Sequence, residues 1–347
     1  MLAAQITQFN APLTLGQVAD PTCPEDGVVL RILACGVCRS DWHAWNGSDP
    51  DVKLPQIPGH EYCGEVVAVG AQCRDWKMGD RVIAPFILAC NHCASCSAGH
   101  QTTCPNQVVP GFTHPGAFAQ YIAVPQADGN LAALPENMDV TLAAALGCRT
   151  TTAWHALTDR AALAPGEWVA VFGTGGVGLS VLLLAKAMGA RVICVDVVQE
   201  KLDYALSLGA DFAMHAAQTD VPSAIRDVTG GGAHVSIEAL GIEATTRAAM
   251  QSLRKLGRMV QVGMPAGKNA EMTLPMDAVY FGQLAIFGTR GMPGWRYPSL
   301  LNMIDAGQVD LSPLIAREIT LSQASDEVAA FNGTTAPGVA VITDFSR

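Results

Sequence analysis

Charge is scarce in this chain, and basic charge scarcer still. Of 347 residues only 15% are charged, with 21 Lys and Arg against 31 Asp and Glu, a formal balance of -10. The acidic residues are scattered rather than run together, so nothing here draws a phosphate backbone or an anionic membrane; neither a nucleic-acid nor a membrane partner is expected. Residues 1–10 lack the basic start and apolar run of a secretory signal, which predicts a cytoplasmic protein. No internal repeat or low-complexity tract is present. An unbroken membrane-length span is lacking too. Residues 168–185 carry no charge over 18 residues, but four glycines interrupt them, and they read as strand, turn and helix. With half its residues hydrophobic, the chain is a well-buried globular protein whose length fits two domains.

What is present is cysteine. Eleven in a long chain with no export signal, and an odd count, favour metal binding over a disulfide scaffold. Cys90, Cys93, Cys96 and Cys104 form C-x2-C-x2-C-x7-C among small and polar residues. Four thiolates packed so closely in a loop are the composition of a closed, tetrahedral structural zinc site, which supplies on the order of 10 kcal/mol of folding free energy to a segment with no core. An iron-sulfur cluster is the alternative, disfavoured because its ferredoxin spacings differ. His92 and His100 read as solvated loop residues. Cys23, Cys35, Cys63, Cys73 and Cys194 read as small buried hydrophobes.

The chemistry concentrates between residues 35 and 61, which read C-G-V-C-R-S-D-W-H and later P-G-H-E. Cys38 and His60 pair a soft thiolate with an imidazole, which suits zinc rather than magnesium or calcium. Ser40, Asp41, His43 and Glu61 stand beside them, able to orient ligands and carry a proton.

Residues 1–145 are punctuated by Pro and Gly, with strand-like runs at 28–33, 64–70 and 81–83, and predict a mostly β domain with long functional loops. Residues 141–157 turn helical and contain Cys148. From Trp168 the pattern is α/β. W-V-A-V-F is a strand, Gly173, Gly175, Gly176 and Gly178 form G-x-G-G-x-G, residues 179–188 a helix, and residues 191–195 a second strand ending at Asp196. In such a unit glycines admit a pyrophosphate, the helix N-terminus supplies N–H groups, and the acid takes the ribose hydroxyls. Asp196 lies 18 residues beyond Gly178 with no arginine next to it, which favours NAD over NADP. Strand-like runs at 234–240, 258–263 and 284–288, and a helix at 244–256, extend this to a doubly wound parallel sheet. The boundaries expected are 1–145 for the catalytic domain, completed by about 297–347, and 146–296 for the dinucleotide-binding domain.

Taken together the chain resembles the zinc-dependent medium-chain alcohol dehydrogenases over nearly its whole length. Gly59-His60-Glu61 with Gly64 and Gly70 is the sharpest match, and the four-cysteine loop and the glycine pattern are independent ones. The resemblance implies a Rossmann domain beside a GroES-like catalytic domain, NAD as cofactor, and two zinc ions, one catalytic and one structural. It implies that Cys38, His60 and Cys148 hold the catalytic zinc, that Asp41 orients His60, and that Glu61 is the second carboxylate near the metal. Ser40 and His43 would relay the alcohol proton, and the alcohol, deprotonated on zinc, would give hydride to nicotinamide. Arg39 matches a pyrophosphate contact and Lys201 a ribose contact; Val177, Val262 and Met264 fall among the cofactor-binding positions. Trp45 and Phe86 fall in regions that line the substrate pocket. The activity implied is interconversion of primary or secondary alcohols with aldehydes or ketones. Polyol or aldehyde-adduct oxidation, or a silent zinc- and nucleotide-binding sensor, are the alternatives.

Two positions depart from the family pattern. Arg149 and Thr150 follow Cys148 where small apolar residues are usual, and could reshape the pocket or contact a polar substrate group. Gly338-Val339 stands where many relatives have Gly-Arg. The segment between Cys104 and Gly116 lacks the long insertion of the dimeric animal enzymes, so the chain resembles the tetrameric bacterial and yeast type.

Overall fold

V-V-L-R-I-L-A-C-G forms the strand Val28–Gly36, buried along most of its length because apolar residues occupy both of its faces. In this computed structural model, which describes residues 1–333 and 337–347, it lies inside a seven-stranded sheet. The order is Ile315–Thr320, Val339–Asp344, Val28–Gly36, Glu61–Val69, Arg81–Ile83 and Ala132–Ala133, with Tyr121–Val124 also pairing Val28–Gly36. Gly36 pairs Glu61 on one side and Val341 on the other. That register brings the end of one central strand to the start of the next.

The chain forms two compact units. The first comprises Met1–Thr151, Gly291–Gly307 and Ile315–Arg347; the second comprises Thr152–Arg290 and Gln308–Leu314. Residues 308–314, expected with the C-terminal return, instead cluster with the second unit, where Tyr204 donates its hydroxyl to the Pro313 carbonyl (2.7 Å). The first unit's core includes Leu30, Tyr62, Phe118 and Ile122, none more than 2% exposed. Burial of each Leu or Ile contributes roughly 1.5–3 kcal/mol.

The second unit is a six-stranded parallel sheet ordered Phe212–His215, Arg191–Asp196, Trp168–Phe172, Ala233–Glu238, Leu253–Gln261 and Ala285–Gly288. Numbered along the chain this is 3-2-1-4-5-6, the doubly wound order of dinucleotide-binding sheets. Trp168–Phe172, wholly buried, is its centre. The uncharged stretch from Trp168 onward is this strand followed by the helix Gly176–Ala187, and no helix among the described residues is long and apolar enough to cross a membrane. The helical segment expected at 141–157 is α-helical at Val140–Ala145 and Thr151–His155, with a wide π turn, Leu146–Thr150, between them. Such turns often mark functional sites. This one carries Cys148 and Arg149.

Candidate functional site

Where the strand Val28–Gly36 ends, the helix Arg39–Trp45 begins with Cys38 as its cap. The Cys38 amide donates to the Asp41 carboxylate (2.8 Å), and the Asp41 amide returns to the Cys38 carbonyl (3.1 Å). Asp41 is fully buried, and its other oxygen faces Gly59 N and His60 Nδ1, both at 3.0 Å. A carboxylate met by so many N–H groups acts as acceptor, so Nδ1 donates to it and Nε2 is the nitrogen that faces away from Asp41. That Nε2 is buried and has no hydrogen-bond partner among the described residues.

Cys38, His60, Glu61 and Cys148 each present one ligand atom, and these atoms all lie within 4.8 Å of one another. The wide turn bearing Cys148 lies against the Glu61 backbone only because residue 147 is glycine. A Cβ there would stand 2.6 Å from Glu61 Cα. Cys38 is held well below the ordinary thiol range, first by the Cys148 thiol that donates to it; burial opposes this, and Arg149 and His60 reinforce it. Cys148, the donor and itself buried, is pushed well up. Burial works against charge on His60, but Asp41 and Cys38 outweigh it and raise its pKa well above the usual imidazole value. Burial also pushes Glu61 up to about 7, although Arg149 pulls the other way. One proton shared between two sulfurs, beside an unpartnered ring nitrogen, is the strain a bound cation relieves. Two thiolates and an imidazole with a further place open are the donor set of a catalytic zinc, and these residues fit that ion.

Ser40 Oγ lies 3.8 Å from the Cys38 sulfur. His43 follows at i+3 on the same face of the helix, and its buried Nδ1 has no hydrogen-bond partner among the described residues. Burial, then Arg39, lowers its pKa, so near pH 7 the ring is neutral and able to take a proton. The Arg39 guanidinium lies over Trp42 (5.6 Å) and Phe331 (5.2 Å).

Aromatic rings pack against His60. Phe86 stands edge-on to His60 with ring centroids 5.8 Å apart. Trp45 lies in the same core cluster as Phe86. Its indole donates to the Ala11 carbonyl (2.6 Å) and its ring packs into the core. Phe112 also stands edge-on to His60, with centroids 5.4 Å apart. Nothing in its local sequence marked it; only folding brings it across from His60.

Both residues after Cys148 turn inward. Arg149 is 5% exposed and donates through its amide (3.2 Å) and Nε (3.0 Å) to Glu61, so it does not reach for a polar substrate group. Thr150 donates its hydroxyl to the Ala145 carbonyl (3.0 Å). Val339 is buried in its strand.

The four-cysteine loop also converges. Cys90, Cys93, Cys96 and Cys104 present sulfurs within 4.8 Å of one another, with pairs at 3.4 Å (Cys93–Cys96, Cys90–Cys104) and 3.8 Å (Cys93–Cys104). Sulfurs bound tetrahedrally at the usual zinc distance lie about 3.8 Å apart, so this cluster fits a closed zinc site. The His92 amide, with other N–H groups, draws the Cys90 pKa down to about 6, while burial pushes Cys96 up to about 12. His92 faces the Cys90 carbonyl, not the cluster. Of the remaining cysteines, Cys35, Cys63 and Cys194 are buried. Cys73 is not a plain hydrophobe, since its thiol donates to Asp128 (3.0 Å) and its pKa rises to about 11, through burial and then Asp128.

In the second unit the glycines do what the pattern requires. Gly173 adopts φ +96°, and a Cβ on Gly178 would stand 1.9 Å from the Gly173 carbonyl oxygen. The helix starts at Gly176, three residues before the sequence reading, so Val177 and Gly178 lie in its first turn. Asp196 closes the second strand. One oxygen accepts from the Thr174 amide and hydroxyl, both 2.8 Å, and the other from the amides of Val197 (2.8 Å) and Val198 (3.1 Å). Lys201 lies in the following helix, Gln199–Ser207, half-buried. Val262 and Met264 follow the strand Leu253–Gln261. Val262 is positioned by Glu238, which sequence reasoning missed. It is fully buried and accepts from Gly241 N (2.8 Å), Leu240 N (3.0 Å) and Thr245 Oγ1 (2.6 Å), while its carbonyl takes the amides of Val262 and Gly263 (both 2.9 Å). The available signal was an acid at the end of an apolar strand, S-I-E.

Residues 24–136 match the family described as the alcohol dehydrogenase GroES-like domain, and residues 176–306 the zinc-binding dehydrogenase family. An alcohol dehydrogenase of Geobacillus stearothermophilus is 40% identical over 296 residues, 84% of this chain and 85% of its own. The solved structure of an NAD-dependent alcohol dehydrogenase superposes with TM-score 0.89 at 27% identity, covering 99% of both chains. A protein of Sinorhizobium meliloti 1021 described as a zinc-binding dehydrogenase, solved with NADP, gives 0.88 at 26% identity over 99% of this chain and 98% of its own. The two matched domains, the relative at 40% identity and the parallel dinucleotide-type sheet agree: this chain is an oxidoreductase of the zinc-dependent medium-chain alcohol dehydrogenase family.

Proposed function

We propose that the protein is an NAD-preferring alcohol dehydrogenase that interconverts primary or secondary alcohols with aldehydes or ketones, using two zinc ions per chain. The observation that carries this reading is the orphaned, buried His60 Nε2 beside the Cys38 and Cys148 sulfurs. Cys38, His60 and Cys148 would hold the catalytic ion; Cys90, Cys93, Cys96 and Cys104 would hold the structural one. When bound, the catalytic ion makes the alcohol proton more acidic, with water as the reference case at a pKa of roughly 7.

The chain's own residues do the rest. Asp41 accepts from His60 Nδ1, so that Nε2 is the nitrogen left for the ion, which would displace the proton that Asp41 and Cys38 favour on the ring. Ser40 Oγ takes the alcohol proton while releasing its own toward His43, whose neutral ring is the acceptor. Phe86 and Phe112 keep water off the His60 ring. In the second unit the glycine turn Gly173–Gly178 would accept the pyrophosphate, and Asp196 the ribose. A carboxylate there repels a 2′-phosphate, which supports NAD. Lys201, Val177, Val262 and Met264 are proposed contacts of the same cofactor, and Arg39 a pyrophosphate contact.

Arg149 was the feature that hinted at a polyol substrate, and its burial against Glu61 removes that support. Assembly into a tetramer is proposed as well. The edge strand Ala285–Gly288 and the helix Met276–Gly282, which buries no residue, leave Tyr280 (77%) and Phe281 (75%) exposed. A cytoplasmic location is proposed too: six of the eleven cysteines are assigned to zinc, and the other five are not disulfide-bonded.

The test is the appearance of reduced-nicotinamide absorbance when protein and NAD meet a panel of primary, secondary, aromatic and polyhydric alcohols. Turnover that a chelator abolishes is the expected result. Silence across the panel, with zinc and NAD both bound, would favour the sensor reading instead.

A further inference from the structure

Glu61 sits in a box made partly of missing side chains. A Cβ on Gly36 would stand 2.7 Å from Glu61 Oε2, and one on Gly147 2.6 Å from Glu61 Cα. Val339 closes another side, its Cγ1 3.5 Å from that same Gly36 position. The remaining wall is Arg149. Its amide and Nε both donate to Oε1, at 3.2 and 3.0 Å. Its Nη2 lies 2.8 Å from Oε2 but donates to the Val37 carbonyl, also at 2.8 Å, and Oε2 has no hydrogen-bond partner among the described residues. Arg149 therefore holds Oε1 by two hydrogen bonds and faces Oε2 as an ion pair. The guanidinium that ties it is itself anchored to backbone.

Charge adds a second argument. Two thiolates and a carboxylate exceed a divalent ion by one negative charge, and the Arg149 guanidinium supplies the missing positive one inside a buried site. A carboxylate released from such a partner, with one oxygen within 4.8 Å of two sulfurs and an imidazole nitrogen, would become a strong fourth ligand. Four protein ligands make a closed structural site, three an open catalytic one.

We propose that Arg149 is a positioning residue that holds the Glu61 carboxylate, by hydrogen bonds at Oε1 and an ion pair at Oε2, and so keeps it from joining Cys38, His60 and Cys148 as a permanent ligand. The proposal rests on the reading of those three residues as a metal centre. It makes Arg149 the residue that determines how freely an outside ligand reaches the ion.

The test uses the whole protein loaded with cobalt(II), whose visible spectrum reports ligand number, and imidazole as a neutral probe of the open position. The four-cysteine loop, a closed site, gives a background that imidazole does not change. In the wild type, imidazole shifts the visible bands. Arg149→Met changes the spectrum before imidazole is added and weakens imidazole binding by about tenfold or more. The double variant Arg149→Met with Glu61→Gln restores the wild-type imidazole affinity, which a merely structural role for Arg149 would not allow. Arg149→Lys, which keeps size and charge without the two-point grip, weakens binding in the same direction and serves if the methionine variant does not fold. An unchanged spectrum and affinity in the Arg149 variants, or a loss that Glu61→Gln does not relieve, overturns the tether while leaving the metal centre standing. Failure of the wild type to show any imidazole-responsive cobalt overturns both.

Discussion

Asp41→Asn is the sharpest perturbation of the metal centre, because it keeps the volume and changes only donors and charge. An asparagine offers one acceptor oxygen and one NH2 group in place of two acceptors. Whichever way the amide lies, its NH2 meets an N–H: Cys38 N on one side, or Gly59 N and His60 Nδ1 on the other. The orientation that opposes only Cys38 N strands one buried donor, at about 1–3 kcal/mol, and also removes the negative charge beside His60. Loss of an outer carboxylate of this kind weakens metal binding by about 10–100-fold, equivalent to about 1.4–2.7 kcal/mol. The assay is zinc retained against a rising concentration of chelator. The four-cysteine loop, which Asp41 does not touch, is the internal standard. The expected result is that one of the two ions is released at chelator concentrations lower by one to two orders of magnitude, while the other is unmoved. Equal retention of both ions would refute the claim that Asp41 holds His60 for the metal.

Asp196→Gly should raise the ratio of kcat/KM for NADP over that for NAD by about tenfold, roughly 1.4 kcal/mol; an unchanged ratio removes Asp196 from the ribose site. Asp211 takes Val192 N (2.8 Å) and Lys186 Nζ (2.9 Å). Burial alone would raise its pKa, but these donors and Arg191 hold it below the usual carboxylate value. A depressed carboxylate contributes stability that is present above its unfolded pKa, about 4, and is lost as pH falls through the folded value. Asp211→Asn therefore lowers Tm at pH 7 and flattens the acid limb of the Tm profile, and an equally steep limb in the variant would count against this pair.

The parts of the site that were legible in the sequence are those where local spacing alone dictates geometry. Four cysteines within fifteen positions have few ways to point except at each other, and Gly178 must be glycine because the turn brings it onto the Gly173 carbonyl. What was not legible depends on which way a side chain leaves its element. Trp45 is one turn beyond Asp41 on the same short helix, yet its indole goes to Ala11 and the core. Arg149 finds Glu61 across 88 positions, and no local rule forecasts that meeting. The strand Phe212–His215 was missed because F-A-M-H is short and one of its ends is exposed. The helix Val221–Thr229 was also missed, although Asp220 caps it, Pro222 stands in its first turn and Gly230 ends it in the left-handed conformation. Those are readable start and stop signals.

The first unit's sheet is made from opposite ends of the chain. Val339–Asp344 pairs Val28–Gly36, and Val339 supplies one wall around Glu61. A ribosome therefore delivers Cys38 and His60 before the second unit and the strand that completes their surroundings after it. All six strands of the second unit are made in between, and that sheet can close as soon as they emerge. Synthesis halted before the final strand would release a chain with its dinucleotide-type sheet finished and its metal pocket still open, the early thiols exposed to oxidation.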